Sequence, residues 1–203
     1  MKKFLKRIAL IIIIVAVIAG SSYLWGHSFK HRIDPDLNDE LREYCVKNGL
    51  CNEYCIVVDF SIYSGKDRLF IIDMDKNEIV YSALCAHGIG KKFDCSVTPR
   101  FSNENGSNLS SLGHFKLDRT RKTSQYDLNA IELYGLDSIN SNAYLRGILI
   151  HDGLPDVRII GLPCLPLSQG CFTISSKAFN EINELKSRCN KPVMIYSTDK
   201  SVF

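Results

Sequence analysis

The stretch YCIVVDFSIYSGKDRLFIIDMDKNEIVYSAL, residues 54–84, carries the pattern that decides the fold. Three runs rich in Val, Ile, Phe and Tyr are separated by the short polar segments SGKD and DKN. Runs of β-branched and aromatic residues between turn residues are typical of strands. This stretch therefore predicts a meander of three strands.

More strand-like runs follow, and two segments with helical spacing flank the series. The runs HFKLD, AIELYGL, RGILIHD and KPVMIYS begin at residues 114, 130, 146 and 191. Residues 36–49 and 175–188 repeat apolar side chains at helical spacing and begin with residues typical of helix starts, so each predicts a helix. The predicted fold is mainly β, a β-sandwich of mixed sheets with two peripheral helices.

The N-terminus predicts a further helix outside this fold. The chain begins MKKFLKR and continues with IALIIIIVAVIAG, a run without polar side chains. Residues 8–25 would extend about 27 Å as a helix, just enough to cross a bilayer. The basic residues before them would keep that end in the cytoplasm. A cleaved signal peptide is the alternative, because Ala19-Gly20-Ser21 fits a small-residue cleavage site. Both interpretations predict an exported protein.

The chain thus divides into three parts. Residues 1–25 are the predicted signal anchor or signal peptide, residues 26–53 a polar tether with a short helix, and residues 54–203 the main domain. Setting aside Lys2, Lys3, Lys6 and Arg7 lowers the formal charge from +3 to −1. An almost neutral domain lacks the basic surface that nucleic acids require, so no nucleic-acid partner is predicted.

Eight cysteines in an exported chain invite disulfides, although the sequence does not define their pairing. Cys45, Cys51 and Cys55 cluster without a nearby histidine, which is poor spacing for zinc. No metal and no cofactor are predicted. The absence of a C-x-x-C pair argues against a thiol oxidoreductase.

Two short motifs carry the candidate chemistry. LRGILIHDG predicts a buried strand that ends at His151, and SQGC follows, with Cys171 at the start of a predicted helix. A thiol acts as a nucleophile when a base favours the thiolate, backbone amides stabilise the developing anion and the substrate has access. Gly170 would let the backbone approach a substrate and turn its amides inward as an oxyanion hole. An inert buried thiol is the alternative.

Four ordered segments resemble the murein L,D-transpeptidase catalytic domain family, the YkuD-like group of cell-wall enzymes. They are CAHGIG, FSNENGSNLSSLG, YGLDSINSNAYLRGILIHDG and LSQGCFTIS, and the similarity covers roughly residues 54–197. The resemblance implies that Cys171 attacks a meso-diaminopimelate carbonyl in a peptidoglycan stem peptide and releases D-alanine. His151 would be the base, oriented by a main-chain carbonyl near Asp152. Ser168 and Gly170 would shape the turn, and the amides of Gly170 and Cys171 would hold the oxyanion.

Departures from the family pattern bear on substrate binding. Gln169 and Thr173 stand where the wider family often has His and Arg, and Asp152 stands where Gly is commoner. Gln169 is itself a candidate substrate-binding residue. Arg146 is then the candidate for a substrate carboxylate, with a structural role as the alternative. The resemblance also places His87 near the site. The long polar loop offers further groups for the substrate groove, with turn formation as the alternative: Ser102, Asn103, Ser110 and Ser111.

The function implied by the resemblance is a cysteine acyltransferase that forms a thioester with a stem peptide and makes 3–3 crosslinks. An L,D-carboxypeptidase or hydrolase of the same mechanism is one alternative, because water can replace the acceptor amine. A non-catalytic module that binds the cell wall is another. The expected partners are peptidoglycan stem peptides and, through the N-terminal helix, the membrane. The expected location is anchored or secreted, facing the periplasm or cell wall.

Overall fold

The computed structural model describes residues 2–27, 30–91, 99–124, 126–164 and 168–202. The helices are α1 (Lys2–Gly26), α2 (Pro35–Lys47) and α3 (Ser176–Arg188), with a short 3₁₀ helix at Ser138–Asn140. The strands are β1 (Tyr54–Asp59), β2 (Leu69–Asp73), β3 (Glu78–Ala83), β4 (Gly113–Lys122), β5 (Asn129–Gly135), β6 (Leu149–His151), β7 (Phe172–Thr173) and β8 (Met194–Thr198).

The strands form one mixed sheet in the order β3-β2-β1-β8-β4-β5-β6-β7. The pairs β1–β8 and β6–β7 are parallel, and the other neighbours are antiparallel. The predicted meander and the mainly β fold with two peripheral helices and an N-terminal helix are confirmed. The layers are halves of one curled sheet, because Ala86, after β3 at one end, bridges Thr173 of β7 at the other.

The core lies between these two halves. Val58 and Ile71 from one half share a buried cluster with Phe115, Ile131 and Phe172 from the other. The opposite face of β1 packs Cys55 and Val57 in a second cluster, together with Cys45 of α2. β1 is therefore buried on both faces, which explains its continuous apolar run.

The helix predicted over residues 175–188 is confirmed, but Cys171 does not lie at its start, because a strand separates the two. Cys171 is followed by β7, and α3 begins only at Ser176. The backbone N–H of Ile174 donates to the His151 carbonyl at 2.9 Å, so the parallel pairing with β6 keeps this segment extended. The Ser175 side chain then caps the helix by accepting from the Ala178 N–H at 3.2 Å. Cys171 lies at a turn before a strand.

α1 is the one described helix long and apolar enough to cross a membrane, a test that a signal sequence also passes. From the last residue of α1 onward, the chain makes hydrogen bonds to the main domain. The Gly26 carbonyl accepts from the Asp67 N–H at 2.8 Å, and the His31 carbonyl accepts from the Ile79 N–H at 2.8 Å. The described part of the predicted tether therefore lies against the domain.

Candidate active site

Two adjacent parallel strands bring the candidate base and nucleophile to one surface. In the register of β6 and β7, Ile150 pairs with Phe172 and His151 with Thr173. Ile150 and Phe172 point into the core. Side chains alternate along a strand, so His151 and Thr173 point to the opposite face. Cys171 comes two residues before Thr173, next to the same face.

The imidazole of His151 has a defined tautomer. Its Nδ1 lies 2.6 Å from the Asp152 carbonyl oxygen, which can only accept, so Nδ1 carries the hydrogen. The Nε2 atom keeps its lone pair and accepts from the Thr173 hydroxyl at 3.3 Å. A main-chain carbonyl thus accepts a hydrogen bond from Nδ1, and Nε2 is the basic atom.

The Asp152 carboxylate is turned away from this imidazole. Its two oxygens accept from the backbone N–H of Asn129 at 3.0 Å and from the Asn129 side-chain amide at 2.7 Å. These bonds fix the backbone of Asp152, and with it the carbonyl that orients His151. The aspartate at this position therefore contributes its side chain to the support of the site.

The Cys171 side chain is half-buried, and its thiol donates to the Gly147 carbonyl with an Sγ–O distance of 3.7 Å. Burial raises the pKa of the Cys171 thiol above its ordinary value. A hydrogen bond from the Leu149 backbone and the charges of Arg146 and Arg121 lower this pKa by smaller amounts. In the described part of the chain, no hydrogen bond joins Cys171 to His151. The raised pKa favours the protonated thiol, which points its hydrogen at the Gly147 carbonyl.

Ser168 shapes the turn before Cys171. Its hydroxyl accepts from the Gly170 N–H at 3.1 Å and donates to the Cys171 carbonyl at 2.6 Å. Gly170 has a φ of +120°, and a Cβ there would lie 2.8 Å from Ile148 Cδ1. The Gly170 amide is thus used within the turn, unlike the expectation that it faces the substrate. The Cys171 amide remains the candidate oxyanion donor, and the Gln169 side chain is exposed.

Three of the resembling segments meet directly behind the nucleophile. A Cβ on Gly88 would lie 2.4 Å from the Asn108 carbonyl oxygen and 2.7 Å from Gly170 Cα, so only glycine fits this approach. The Ser110 hydroxyl accepts from the Gly88 N–H at 3.0 Å and donates to the Gly170 carbonyl at 2.9 Å. Ser110 is fully buried. It supports the turn from behind instead of lining the groove.

Arg146 is committed to the long polar loop. One guanidinium nitrogen donates to the Ser102 carbonyl and the Ser111 hydroxyl, both at 2.6 Å. The other donates to the Ser107 hydroxyl at 3.0 Å and the Leu109 carbonyl at 2.5 Å. These four bonds occupy the guanidinium, which departs from the expectation that Arg146 binds a substrate carboxylate. Ser111, like Ser110, is buried.

Asn103 joins the same loop to the segment that precedes β6. Its side-chain amide donates to the Ser138 carbonyl and the Ser141 hydroxyl, each at 3.1 Å. Its side-chain oxygen accepts from the Asn142 N–H at 3.0 Å. Ser102 and Asn103 therefore hold two loops together. This is a structural role, the alternative to lining the substrate groove.

His87 lies inside the protein, 7% exposed. Its Nδ1 is 2.8 Å from a guanidinium nitrogen of Arg68, which can only donate, so the imidazole carries its hydrogen on Nε2. Burial, and then the charge of Arg68, lower the pKa of His87 to about 4. The Arg68 side chain also donates to the Cys85 carbonyl at 2.7 Å. His87 is thus a neutral residue that links the core to the segment behind Gly170.

Sequence reasoning missed Thr173 as a hydrogen-bond partner and Arg121 as a charge near the site. Arg121 pairs with Ala130 on β5, and Ala130 pairs with His151 on β6. Directly paired residues share a face, so Arg121 and His151 lie on one side, two strand spacings or about 10 Å apart. Arg121 Nε donates to Glu132 at 2.8 Å. Strand alternation across β4 to β6 was the signal for this arrangement.

A mixed sheet that brings a cysteine and a histidine to one face defines the class of the protein as a domain with a cysteine–histidine site. The chain belongs to the L,D-transpeptidase catalytic domain family, whose sequence model matches residues 36–196. This confirms the resemblance. The family acts on peptidoglycan in the cell wall.

Comparison with curated proteins found no match. Among solved structures, an L,D-transpeptidase (Yku) from Stackebrandtia nassauensis is similar at 12% identity with a TM-score of 0.39. The aligned region covers 81% of this chain and 66% of that one.

Proposed function

We propose that the protein is a cysteine acyltransferase that forms a thioester between Cys171 and a peptidoglycan stem peptide and makes 3–3 crosslinks. One observation carries the proposal. His151 Nδ1 is held by the Asp152 carbonyl at 2.6 Å, so the basic Nε2 lies on the same sheet face as the thiol. An oriented imidazole beside a cysteine is the arrangement that activates a thiol for acyl transfer.

The acylation step begins with rotation of the thiol from the Gly147 carbonyl toward His151. Nε2 takes the thiol proton, and the thiolate attacks the diaminopimelate carbonyl next to the terminal D-alanine. The Cys171 N–H stabilises the oxyanion. The imidazolium then gives its proton to the departing D-alanine amine, and the C–N bond breaks. The product is a thioester on Cys171.

The deacylation step reverses these roles. The amine of a second stem peptide attacks the thioester carbonyl, and Nε2 takes a proton from that amine. The C–S bond breaks, and the proton passes from the imidazolium to the sulfur. The thiol is restored and a new amide joins two stems. If water attacks in place of the amine, the product is a shortened stem and the protein is an L,D-carboxypeptidase.

Arg121 is our candidate for the carboxylate of the donor stem. Arg146, the earlier candidate, is occupied by four hydrogen bonds to the protein. Arg121 shares the face of His151, and its side chain is 38% exposed. It makes two hydrogen bonds to the protein, from Nε to Glu132 at 2.8 Å and from Nη1 to the Lys122 carbonyl at 3.1 Å. Because Glu132 holds the Nε end of the Arg121 side chain in place, the exposed guanidinium is well suited to bind a carboxylate of the substrate. A guanidinium can bind a carboxylate with two hydrogen bonds.

We further propose that α1 is retained as a membrane anchor. Contacts at its C-terminal end support this. His27 Nδ1 lies 3.1 Å from an Asp67 carboxylate oxygen, and Arg158 donates to the other oxygen at 2.6 and 2.9 Å. Four apolar side chains of the loop around Arg158 are exposed: Val157, Ile159, Ile160 and Leu162. They suit the surface of the bilayer that α1 would cross.

The test is the full-length protein in detergent with a disaccharide-tetrapeptide, followed by mass spectrometry. A dimer with loss of D-alanine identifies the transpeptidase, and a tripeptide alone identifies the carboxypeptidase. Cys171→Ala should abolish both products. His151→Ala should lower the rate by about a hundredfold or more.

The matched control is His31→Ala, because His31 is exposed and distant in sequence from the motifs. A carbapenem should acylate wild type, with the adduct on the peptide that contains Cys171. Absence of the adduct on a reduced Cys171 contradicts the proposal.

A further inference from the structure

Two cysteines outside the site lie with their sulfur atoms 2.9 Å apart. They are Cys51, before β1, and Cys189, at the end of α3, separated by 138 positions in the chain. Both are thiols here. This distance is shorter than ordinary van der Waals contact between two sulfur atoms, so the thiols are within bonding reach after a small side-chain movement.

The backbones around the pair are positioned without help from the thiols. The Cys51 N–H donates to the Pro192 carbonyl at 2.9 Å, and the Cys189 N–H donates to the Leu185 carbonyl at 3.1 Å. The first bond joins the segment after α3 to the segment before β1, and the second ends the helix. Folding therefore brings the two cysteines together before any covalent bond forms.

The remaining described cysteines have other surroundings. Cys45, Cys55, Cys85 and Cys164 are buried. Cys45 contacts the sulfur of Met194 at 3.8 Å, and Cys171 contacts the Gly147 carbonyl. Cys95 lies outside the described residues. Within the described part of the chain, Cys51 and Cys189 are the one cysteine pair joined by a sulfur–sulfur contact.

We propose that Cys51 and Cys189 form a structural disulfide in the exported protein and leave Cys171 reduced. The oxidant is a disulfide of the exchange type, either a dithiol-disulfide protein of the exported compartment or, in vitro, oxidised glutathione. The Cys189 thiolate attacks the oxidant disulfide and releases one thiol. The Cys51 thiolate then attacks the Cys189 sulfur and releases the second thiol. The two cysteines lose two protons and two electrons, and the oxidant disulfide becomes two thiols.

Cys189 is the entry point because it is half-buried, whereas Cys51 is 4% exposed. Burial, and then the hydrogen bond with Cys51, raise the pKa of Cys189 to about 12. Little thiolate is present at neutral pH, so uncatalysed oxidation should be slow and should accelerate as the pH rises. This behaviour suits a bond that is made once, by an oxidising enzyme, and then kept.

The bond would tie the end of α3 to the start of β1. α3 packs Phe179 and Ile182 into the core cluster that also holds Phe172, the residue after Cys171. A crosslink across so long a segment restricts the unfolded chain strongly. The disulfide would therefore stabilise the part of the core directly beneath the nucleophile.

The experiment uses the full-length protein, purified under reducing conditions and then incubated at pH 8.5 with oxidised glutathione and a dithiol-disulfide oxidoreductase that catalyses the exchange. Peptide mapping without reduction should show the Cys51 and Cys189 peptides joined and two hydrogen atoms lighter than the separate thiols. Reduction should lower the thermal midpoint by about 5 to 15 °C. Because oxidation is performed in vitro, a negative result concerns the thiol pair and is independent of export and of acyl transfer.

Variants complete the test. Cys51→Ala/Cys189→Ala should resemble the reduced wild type and lose its sensitivity to reductant. Cys171→Ala is the matched control and should keep both the crosslinked peptide and the sensitivity. Recovery of Cys51 and Cys189 as alkylated thiols after oxidation, or of either one paired with a different cysteine, overturns the proposal even if the double variant does not fold.

Discussion

His151 Nε2 lies 3.3 Å from the Thr173 hydroxyl, while the thiol of Cys171 contacts the Gly147 carbonyl instead. The basic lone pair is thus occupied by a neighbouring hydroxyl at rest. The imidazole ring does not depend on this bond for its orientation, because the Asp152 carbonyl already holds Nδ1 at 2.6 Å. Thr173 therefore competes with the thiol for the base.

Removing this competitor should make the thiol more reactive. Thr173→Val keeps the size and shape of the side chain but has no donor, so we expect alkylation of Cys171 by iodoacetamide at pH 7 to accelerate about two- to tenfold, the worth of one hydrogen bond. Thr173→Ser keeps the hydroxyl and is the matched control. A slower reaction in the valine variant would show that Thr173 assists the base.

The pH dependence of Cys171 alkylation shows whether His151 accepts the proton of the thiol. Burial raises the pKa of Cys171, so a thiol without a base is protonated at neutral pH and forms thiolate only above the free-thiol value of about 8.5. In His151→Ala the alkylation rate should therefore keep rising beyond pH 9. In wild type it should reach a plateau at lower pH, because the imidazole can accept the thiol proton. Identical pH profiles in the two proteins would rule out His151 as the base.

Arg146 should be needed for the long polar loop more than for its charge. Four hydrogen bonds join its guanidinium to residues 102–111. Lysine cannot reproduce this planar set of donors, so Arg146→Lys and Arg146→Gln should both lower the thermal midpoint by about 5 °C or more. Hydrogen exchange of the loop amides should also rise in both variants. Arg188→Gln, at an exposed position, serves as control, and full rescue by lysine would assign the role to charge alone.

Local patterns predicted most of the fold but not the contacts around Cys171. β1 to β3 and both peripheral helices follow from apolar spacing and turn residues, which are properties of neighbouring positions. β7 has two residues and exists because β6 and Ala86 pair with it. No pattern of two residues predicts a strand, so the sequence placed Cys171 at the start of a helix instead of before a strand.

The roles within the site depended on distant partners for the same reason. Arg146 and its partners are 35 to 44 positions apart, and His87 is paired with Arg68, which lies on a different segment. The residue types in the motifs indicated a cysteine, a base and polar groups near them. Which polar groups face the substrate and which support the turn is decided by how the loops meet, and the sequence does not contain that geometry in local form.

Arg121 should contribute to substrate binding more than to the reactivity of the thiol. If it binds a donor carboxylate, Arg121→Gln should lower kcat/KM by about ten- to a hundredfold, mainly through KM, as expected for one charge-assisted interaction. Alkylation by the neutral reagent iodoacetamide should change little. Lys122→Gln removes a cation at the next position, on the opposite face, and should stay within about twofold of wild type. Equal losses in the two variants would point to a general effect of positive charge.

His87 should make the folded protein sensitive to acid. Its pKa is lowered to about 4 in the folded state, whereas an unfolded histidine titrates near 6.5. Between these values the unfolded chain binds a proton that the folded protein does not, so stability rises with pH. The contribution of His87 is complete above about pH 6.5 and is lost as the pH falls toward 4, by about 3 kcal/mol at most.

Urea unfolding at pH 7.5 and 5.0 measures this difference in the free energy of unfolding. His87→Gln should show a smaller loss between the two pH values than wild type. His31→Gln, a substitution at an exposed position, is the matched control. If His87→Gln loses as much stability as wild type over this range, the acid sensitivity belongs to other groups.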